Sequence, residues 1–252
     1  MPLWPFRPKC PIDAQSQAWV DGRMKWLAGQ FGMETWRNAR AIEPTEKFFP
    51  DQFDGSERAV RLMLERVCGF MRVDPNRVIL RLYSEGPDSS LARKLHLETA
   101  GKGSAGHYRV EEKEIVGIET SKLNDPMALV ATIAHELAHV RLLGEGHLTG
   151  QEDDHEPLTD LATVFFGLGI FNANSTFRFN QWAQAGWHGW KATTLGYLNE
   201  QMFGYALGLW AKVRGEDDPA WTTHLRLNPR TYMKRAMGYL KANPPAMFQV
   251  LI

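Results

Sequence analysis

The feature that most constrains the fold of this chain is a pair of histidines in the segment His135-Glu136-Leu137-Ala138-His139. Residues four apart lie on the same face of a helix, with about 5–6 Å between their Cβ atoms. Both imidazoles can therefore face one ion, which suits tetrahedral zinc. Glu136 lies one step around the helix, where its carboxylate can take a proton from water activated by the metal.

The residues around this segment predict an amphipathic helix with a defined beginning and end. Asp125-Pro126 supplies an N-cap acid followed by proline at the first helical position. Gly144 is a suitable residue to end the helix. Its apolar side is formed by Leu129, Ile133, Leu137 and Val140. A chance histidine pair would not bring these signals with it, so we expect a zinc site here.

Two histidines do not close a zinc site, so a third ligand must come from another element. Glu156 and Asp160 lie four residues apart at the start of the next predicted helix, after a loop long enough to fold that helix back. Glu156 could reach the metal, while Asp160 accepts the distal N–H of His135 or His139. The two acids could instead stabilise the helix N-terminus. The alternative third ligands are His147, Asp153, Asp154 and His155.

Together the two motifs resemble the thermolysin-like gluzincin peptidases, in which HExxH is followed by a downstream helix with ExxxD. The resemblance implies a zinc ion held by His135, His139 and Glu156. It also implies that Glu136 is the general base and that Asp160 is the hydrogen-bond partner of a ligand histidine. It covers about 35 of the 252 residues.

The metzincin pattern HExxHxxGxxH would instead make His147 the third ligand. In that pattern a glycine follows the second histidine by three residues, and a third histidine comes three residues later still. Here Leu142 and Glu145 occupy those positions, whereas Gly144 and His147 come two residues too late. Glu156 is therefore the favoured ligand.

Peptide hydrolysis also requires a donor for the oxyanion of the tetrahedral intermediate. The resemblance implies a tyrosine or histidine from a later segment. We favour Tyr197, because it adjoins a stripe of small residues that permits close helix packing: Gly196, Gly204 and Gly208. The other candidates are His188, Tyr205 and His224. The predicted strand 114–119 precedes the metal helix and could pair with extended substrate, or it could be an ordinary strand.

The order of predicted elements favours an α+β fold, with a small antiparallel or mixed sheet in the N-terminal half and a mainly helical C-terminal half. We expect one zincin-like metallopeptidase domain over residues 1–252. Its parts are helices plus a small sheet (1–124), a metal-binding helix pair (125–175) and a helical part (176–252). The main predicted helices cover 14–31, 57–71, 125–144, 191–213 and 228–241, and a further helix runs through 161–170. Ser56 can cap the 57–71 helix, and Asp153 or Asp154 can cap the helix through 161–170. The predicted strands are 77–84, 107–111 and 114–119.

Composition excludes several other classes of protein. Lys+Arg and Asp+Glu are both 29, so no net charge attracts nucleic acid. The two cysteines, Cys10 and Cys68, form neither a disulfide framework nor a thiolate zinc site. The proline-rich N-terminus does not resemble an export signal, and no apolar run approaches the roughly 20 residues that span a bilayer. We therefore expect a cytoplasmic protein that binds neither nucleic acid nor membrane.

These observations predict a zinc metallopeptidase, in which zinc-bound water attacks a peptide bond with assistance from Glu136. Its partner would be a peptide or protein substrate, whose sequence preference the chain does not reveal. The alternative is a zinc-binding regulatory or sensor protein with a peptidase-like fold and little turnover. Retention of Glu136 favours the enzyme, because a pure binding protein has no need of that carboxylate.

Overall fold

Helices form most of the computed structural model, which describes residues 8–83, 113–176 and 198–245. The helices are α1 (Ala14–Phe31), α2 (Met33–Asn38), α3 (Glu57–Met71), α4 (Pro126–His139), α5 (His155–Phe165), α6 (Glu200–Val213) and α7 (Leu227–Ala242), and residues 169–176 are also helical. Two strands, β1 (Val78–Tyr83) and β2 (Glu114–Glu119), form a small sheet. An α+β fold with a mainly helical C-terminal part is thus confirmed for these ranges.

Short polar side chains fix where the helices begin. Ser56 accepts a hydrogen bond from the backbone of Ala59 at the start of α3, and Asp125 accepts one from Ala128 at the start of α4. Both helices begin as predicted. Of the helix predicted over 191–213, the structure describes α6, which begins at Glu200 because Asn199 caps it. Residues 191–197 lie outside the described ranges.

The two strands pair in parallel, with a register that runs from Val78 opposite Glu114 to Tyr83 opposite Glu119. The prediction of an antiparallel or mixed sheet is therefore wrong for these strands. Parallel strands need a long crossover connection, and residues 84–113 are long enough to provide one. The third predicted strand, 107–111, lies outside the described residues.

Helix α4 lies in the core, where it packs between α3 and α5 and beside β2. Leu129, Ile133 and Leu137 on its apolar side are completely buried. After His139 the chain continues as one π-helical turn, Val140–Gly144, so the end predicted at Gly144 is confirmed. π-turns occur often at functional sites.

Residues Pro126–Gly144 are also long and apolar enough to cross a membrane, judged by length and composition alone. Their mean hydropathy reaches 1.2, and 61 % of the most apolar stretch is buried within the protein. A core helix gives the same signal, so it is weak evidence for a membrane span. The absence of a membrane partner and the cytoplasmic location remain predictions.

The helix predicted through residues 161–170 is interrupted after Phe165. Gly167 has φ +90°, and a Cβ there would collide with the carbonyl oxygen of Arg40. The amide of Ile42 donates to the carbonyl of Gly167 over 2.9 Å, so the loop after α2 crosses the chain at this point. The break therefore comes from a close backbone approach that only glycine permits.

Helices α6 and α7 pack closely through the small residues of α6. A Cβ at Gly204 would lie 2.5 Å from the Cβ of Tyr232, and one at Gly208 would lie 2.9 Å from the Cβ of Ala236. Close packing along the glycine stripe is thus confirmed for these two positions. Gly196 lies outside the described residues.

Candidate metal centre

Two histidines on α4 define the site. His135 is buried and His139 is half-buried, one helical turn further along. Their rings lie 4.8 Å apart between centroids at an angle of 84°. The i, i+4 spacing therefore places both imidazoles on the face of α4 that contacts α5, as the sequence indicates.

Glu156, in the first turn of α5, brings a carboxylate to the two imidazoles. Its Oε2 atom lies 3.2 Å from Nε2 of His135 and 3.6 Å from Nε2 of His139. One ligand atom from each residue lies within 4.8 Å of those of the other two, so the group could hold a metal ion. Two imidazole nitrogens and a carboxylate oxygen are suitable ligands for a divalent transition metal.

The electrostatics of this group favour a bound cation. Burial would raise the pKa of the Glu156 carboxyl, but hydrogen bonds with His135, His139 and His155 outweigh it and hold that pKa far below its ordinary value. Burial would likewise lower the pKa of His135, but Asp160 and Glu156 together raise it well above normal. Without a metal, the carboxylate of Glu156 therefore stays ionised and a proton on His135 balances its charge, and a bound metal ion would displace that proton.

Asp160 lies one helical turn after Glu156 on α5, and this position brings its carboxylate to His135. Its Oδ1 atom lies 2.9 Å from Nδ1 of His135, and its Oδ2 atom accepts the backbone N–H of Leu198 over 3.0 Å. Because a carboxylate only accepts, Nδ1 of His135 carries the proton and Nε2 is directed toward Glu156. Asp160 is 5 % exposed, so both hydrogen bonds are shielded from water.

Thr159 provides the equivalent contact for His139, and neither the HExxH nor the ExxxD pattern predicts it. Its hydroxyl oxygen lies 3.3 Å from Nδ1 of His139 and donates its own hydrogen to the carbonyl of His155 over 2.8 Å. The oxygen is therefore free to accept the N–H of His139. Its position three residues after Glu156, on the same helical face, is the signal that could have found it.

His155 lies against the other oxygen of Glu156. Its Nε2 atom is 3.3 Å from Oε1 of Glu156, and its Nδ1 donates to the carbonyl of Glu152 over 2.9 Å. The hydrogen bond with Glu156 raises the pKa of His155, burial opposes this, and the contact with Glu152 adds to it. His155 was one of the alternative ligands, but it is not one of the three converging residues.

Glu136 is half-buried and follows His135 directly on α4. Among the described residues, its carboxylate has no hydrogen-bond or ion-pair partner. A carboxylate without such a partner, next in sequence to a histidine that could bind a metal ion, remains available as a proton acceptor.

Helix α1 holds the beginning of α5 through Asp154. The Asp154 carboxylate accepts two hydrogen bonds from Arg23, at 2.6 and 2.7 Å, and a third from the indole of Trp19 at 2.7 Å. Asp154 occupies the N-cap position but makes no side-chain capping bond, contrary to the cap that the sequence predicts. Because its carboxylate is hydrogen-bonded to side chains of α1, Asp154 is not one of the converging ligands.

His147 and Asp153, the remaining alternative ligands, are not part of the cluster. Nδ1 of His147 lies 2.9 Å from the Gln30 side chain, and its ring packs edge-on against Phe31. Asp153 is exposed. Of the alternative ligands, only His155 lies next to the converging residues.

The oxyanion donor cannot be placed among the described residues. The Tyr205 hydroxyl donates to Asp21 over 3.0 Å, and Nε2 of His224 lies 3.0 Å from the Glu43 carboxylate. Both are therefore engaged with partners other than the metal cluster. Tyr197 and His188 lie outside the described residues, so the role of Tyr197 remains a prediction.

Comparisons with known proteins add no relative to this description. No family model, no curated protein and no solved structure matches the chain.

Proposed function

We propose that the protein is a zinc-dependent peptidase, with zinc held by His135, His139 and Glu156. The observation that carries the proposal is the convergence of three ligand atoms within 4.8 Å, beside a carboxylate that has no partner among the described residues. Two His and one Glu on adjacent helices are also what the resemblance to the gluzincins implies. The α4–α5 pair thus supports a zincin-like arrangement.

The chemistry follows from the residue types. A zinc ion at this position supplies Lewis acidity, which lowers the pKa of water and polarises a carbonyl group. Glu136 takes the proton from the attacking water and gives it to the leaving amine. Asp160 and Thr159 hold the two imidazoles so that Nε2 of each faces the metal position.

The first test is metal content. Purified protein should contain about one zinc per chain by elemental analysis, and His139→Ala should remove most of it. His147→Ala is the matched control, because its imidazole lies outside the cluster, and it should retain the metal. Iron in place of zinc, or full zinc occupancy in His139→Ala, would contradict the proposed centre.

The second test separates a peptidase from a binding protein. Glu136→Gln keeps the shape of the side chain and removes the proton acceptor, so it should bind zinc normally. Its turnover should fall by about 10²–10⁴-fold, the contribution of general-base catalysis. The assay incubates each protein with a complex peptide mixture and counts new termini by mass spectrometry. Equal numbers of new termini from the wild type and the variant, both zinc-loaded, would favour the regulatory or sensor alternative.

A further inference from the structure

A cavity lies between residues 8–11, which precede α1, and the helices α6 and α7. Its volume is about 660 Å³, and Lys9, Lys234 and Arg235 are among the residues that line it. We infer that this cavity binds a small organic molecule that carries more than one anionic group, phosphate or carboxylate. The metal-binding residues do not line it, so the inference does not depend on the proposed metal centre.

Positive charge dominates the lining of this cavity. Lys9, Lys234 and Arg235 are exposed, and none of them pairs with a carboxylate within residues 8–83, 113–176 and 198–245. In the same ranges, no aspartate or glutamate lines the cavity, and α7 contains four basic residues and no acidic one. A cleft lined by charges of one sign concentrates the electrostatic potential, so it attracts ions of the opposite sign.

Two carboxylates act on the cavity from behind its lining. Burial raises the pKa of the Cys10 thiol, and the charges of Asp21 and Asp13 raise it further. Both carboxylates have other partners, because Asp13 accepts hydrogen bonds from the first backbone N–H groups of α1 and Asp21 accepts one from Tyr205. They therefore leave the three cations of the lining available to a ligand.

The rest of the lining adds a hydroxyl donor and apolar surface. Nε2 of Gln201 donates to the hydroxyl oxygen of Tyr232 over 3.5 Å, so the hydroxyl hydrogen can be donated to a ligand. Pro8 and Pro11 supply apolar surface. Ligand cavities of about 300–1,000 Å³ combine apolar walls with a few polar groups, and Lys and Arg bind phosphate and carboxylate through charge-assisted hydrogen bonds. Size and chemistry therefore fit a small polyanion.

Two variants separate the space of the cavity from its charge. A Cβ at Gly238 would meet only the Cβ of Pro8, at 3.9 Å, which is an ordinary contact distance. Gly238→Leu should therefore fold, fill part of the cavity and leave every cation in place. Lys234→Gln/Arg235→Gln keeps the space and removes two charges.

Cys10 reports whether the cavity is occupied. It lines the cavity and is half-buried, whereas Cys68 is buried. The native full chain is labelled with uncharged iodoacetamide and followed by mass spectrometry, with pyrophosphate or citrate added at about 0.15 M salt, so that weak surface attraction is screened. We expect at least one probe to slow the labelling of Cys10 in a saturable manner. Protection by pyrophosphate alone indicates a phosphorylated ligand, and protection by citrate alone indicates a carboxylate ligand.

The variants decide whether protection arises in the cavity. Lys234→Gln/Arg235→Gln should require at least about tenfold more probe, because two charged donors are lost, and Gly238→Leu should abolish protection. Lys25→Gln/Arg40→Gln, which removes two exposed charges outside the lining, should retain it.

Three results would overturn the inference. The first is that neither probe protects the wild type. The second is equal protection of the wild type and Gly238→Leu, which would place the anion on exposed cations instead of in the cavity. Because both probes also bind metal ions, the third is protection that disappears after dialysis against EDTA, which would place the anion on a metal ion.

Discussion

Replacing Asp160 by asparagine tests whether the α5 carboxylate supports the metal centre or only the fold. In the wild type, Asp160 accepts one hydrogen bond from His135 and another from the backbone of Leu198. An asparagine has a single acceptor oxygen, so its NH₂ group must face one of these two donors. One buried N–H then loses its partner.

The magnitude follows from the burial of this carboxylate. A buried donor left without a partner costs about 1–3 kcal/mol, so the metal-free Asp160→Asn protein should lose about that much of its free energy of unfolding. Loss of the His135 contact should weaken metal binding by about 10- to 100-fold. Urea denaturation of the metal-free protein measures the first quantity, and chelator competition measures the second.

Asp21→Asn is the matched control, because Asp21 is a partly buried carboxylate that accepts a hydrogen bond from Tyr205 and lies outside the cluster. It should leave metal affinity unchanged. If Asp160→Asn binds zinc as tightly as the wild type, Asp160 does not orient His135 for the metal. If its stability is also unchanged, neither hydrogen bond of Asp160 contributes to the free energy of unfolding.

Three other predictions test the packing, the α1–α5 contact and the thiols. Gly204→Ala should lower the free energy of unfolding by about 1–3 kcal/mol, because the added Cβ would lie 2.5 Å from a Cβ of α7. In the control Gly69→Ala the added Cβ meets nothing within 4 Å, so the free energy of unfolding should rise by about 0.5–1 kcal/mol. Equal urea midpoints for the two variants would refute the packing prediction. Arg23→Ala should destabilise by about 1–3 kcal/mol near neutral pH. Burial would raise the pKa of the Asp154 carboxyl, but hydrogen bonds from Arg23 and Trp19 outweigh burial and hold that pKa below its ordinary value. The stabilisation by Arg23 is therefore fully present above the unfolded-state pKa and should vanish as pH falls through the lower folded-state pKa. A stability difference between wild type and Arg23→Ala that persists in strong acid would contradict this prediction. Burial raises the pKa of Cys68 to about 12, so a thiol reagent at pH 8 should label it only after denaturation, and rapid labelling of the native protein would show that Cys68 is accessible.

Local signals in the sequence predicted the parts of the site that depend on a single helix. The N-caps at Ser56 and Asp125 involve residues three apart in the chain, and they are present in the structure. The convergence of His135 and His139 follows from helix geometry alone. Thr159 also lies on a predicted helical face, so its contact could have been found by the same reasoning.

Other features depend on contacts that sequence spacing does not encode. The carboxylate of Asp154 looks like a helix cap in sequence, but its partner Arg23 is 131 residues away. Parallel pairing of β1 and β2 depends on how residues 84–113 connect them, which periodicity within a strand does not reveal. The break at Gly167 arises from the approach of the Arg40 carbonyl, a contact between distant segments.

The bonds that hold the α4–α5 pair differ greatly in sequence separation, which bears on the order of folding. His135 and Glu156 are 21 residues apart, whereas Trp19 and Asp154 are 135 residues apart. Closing a short loop costs less entropy than closing a long one, so the helix hairpin that carries the ligands can form before α1 docks on it. If the cluster holds a metal ion as proposed, a nascent chain could bind it early, and the ion would then link α4 to α5 before α1 contacts Asp154.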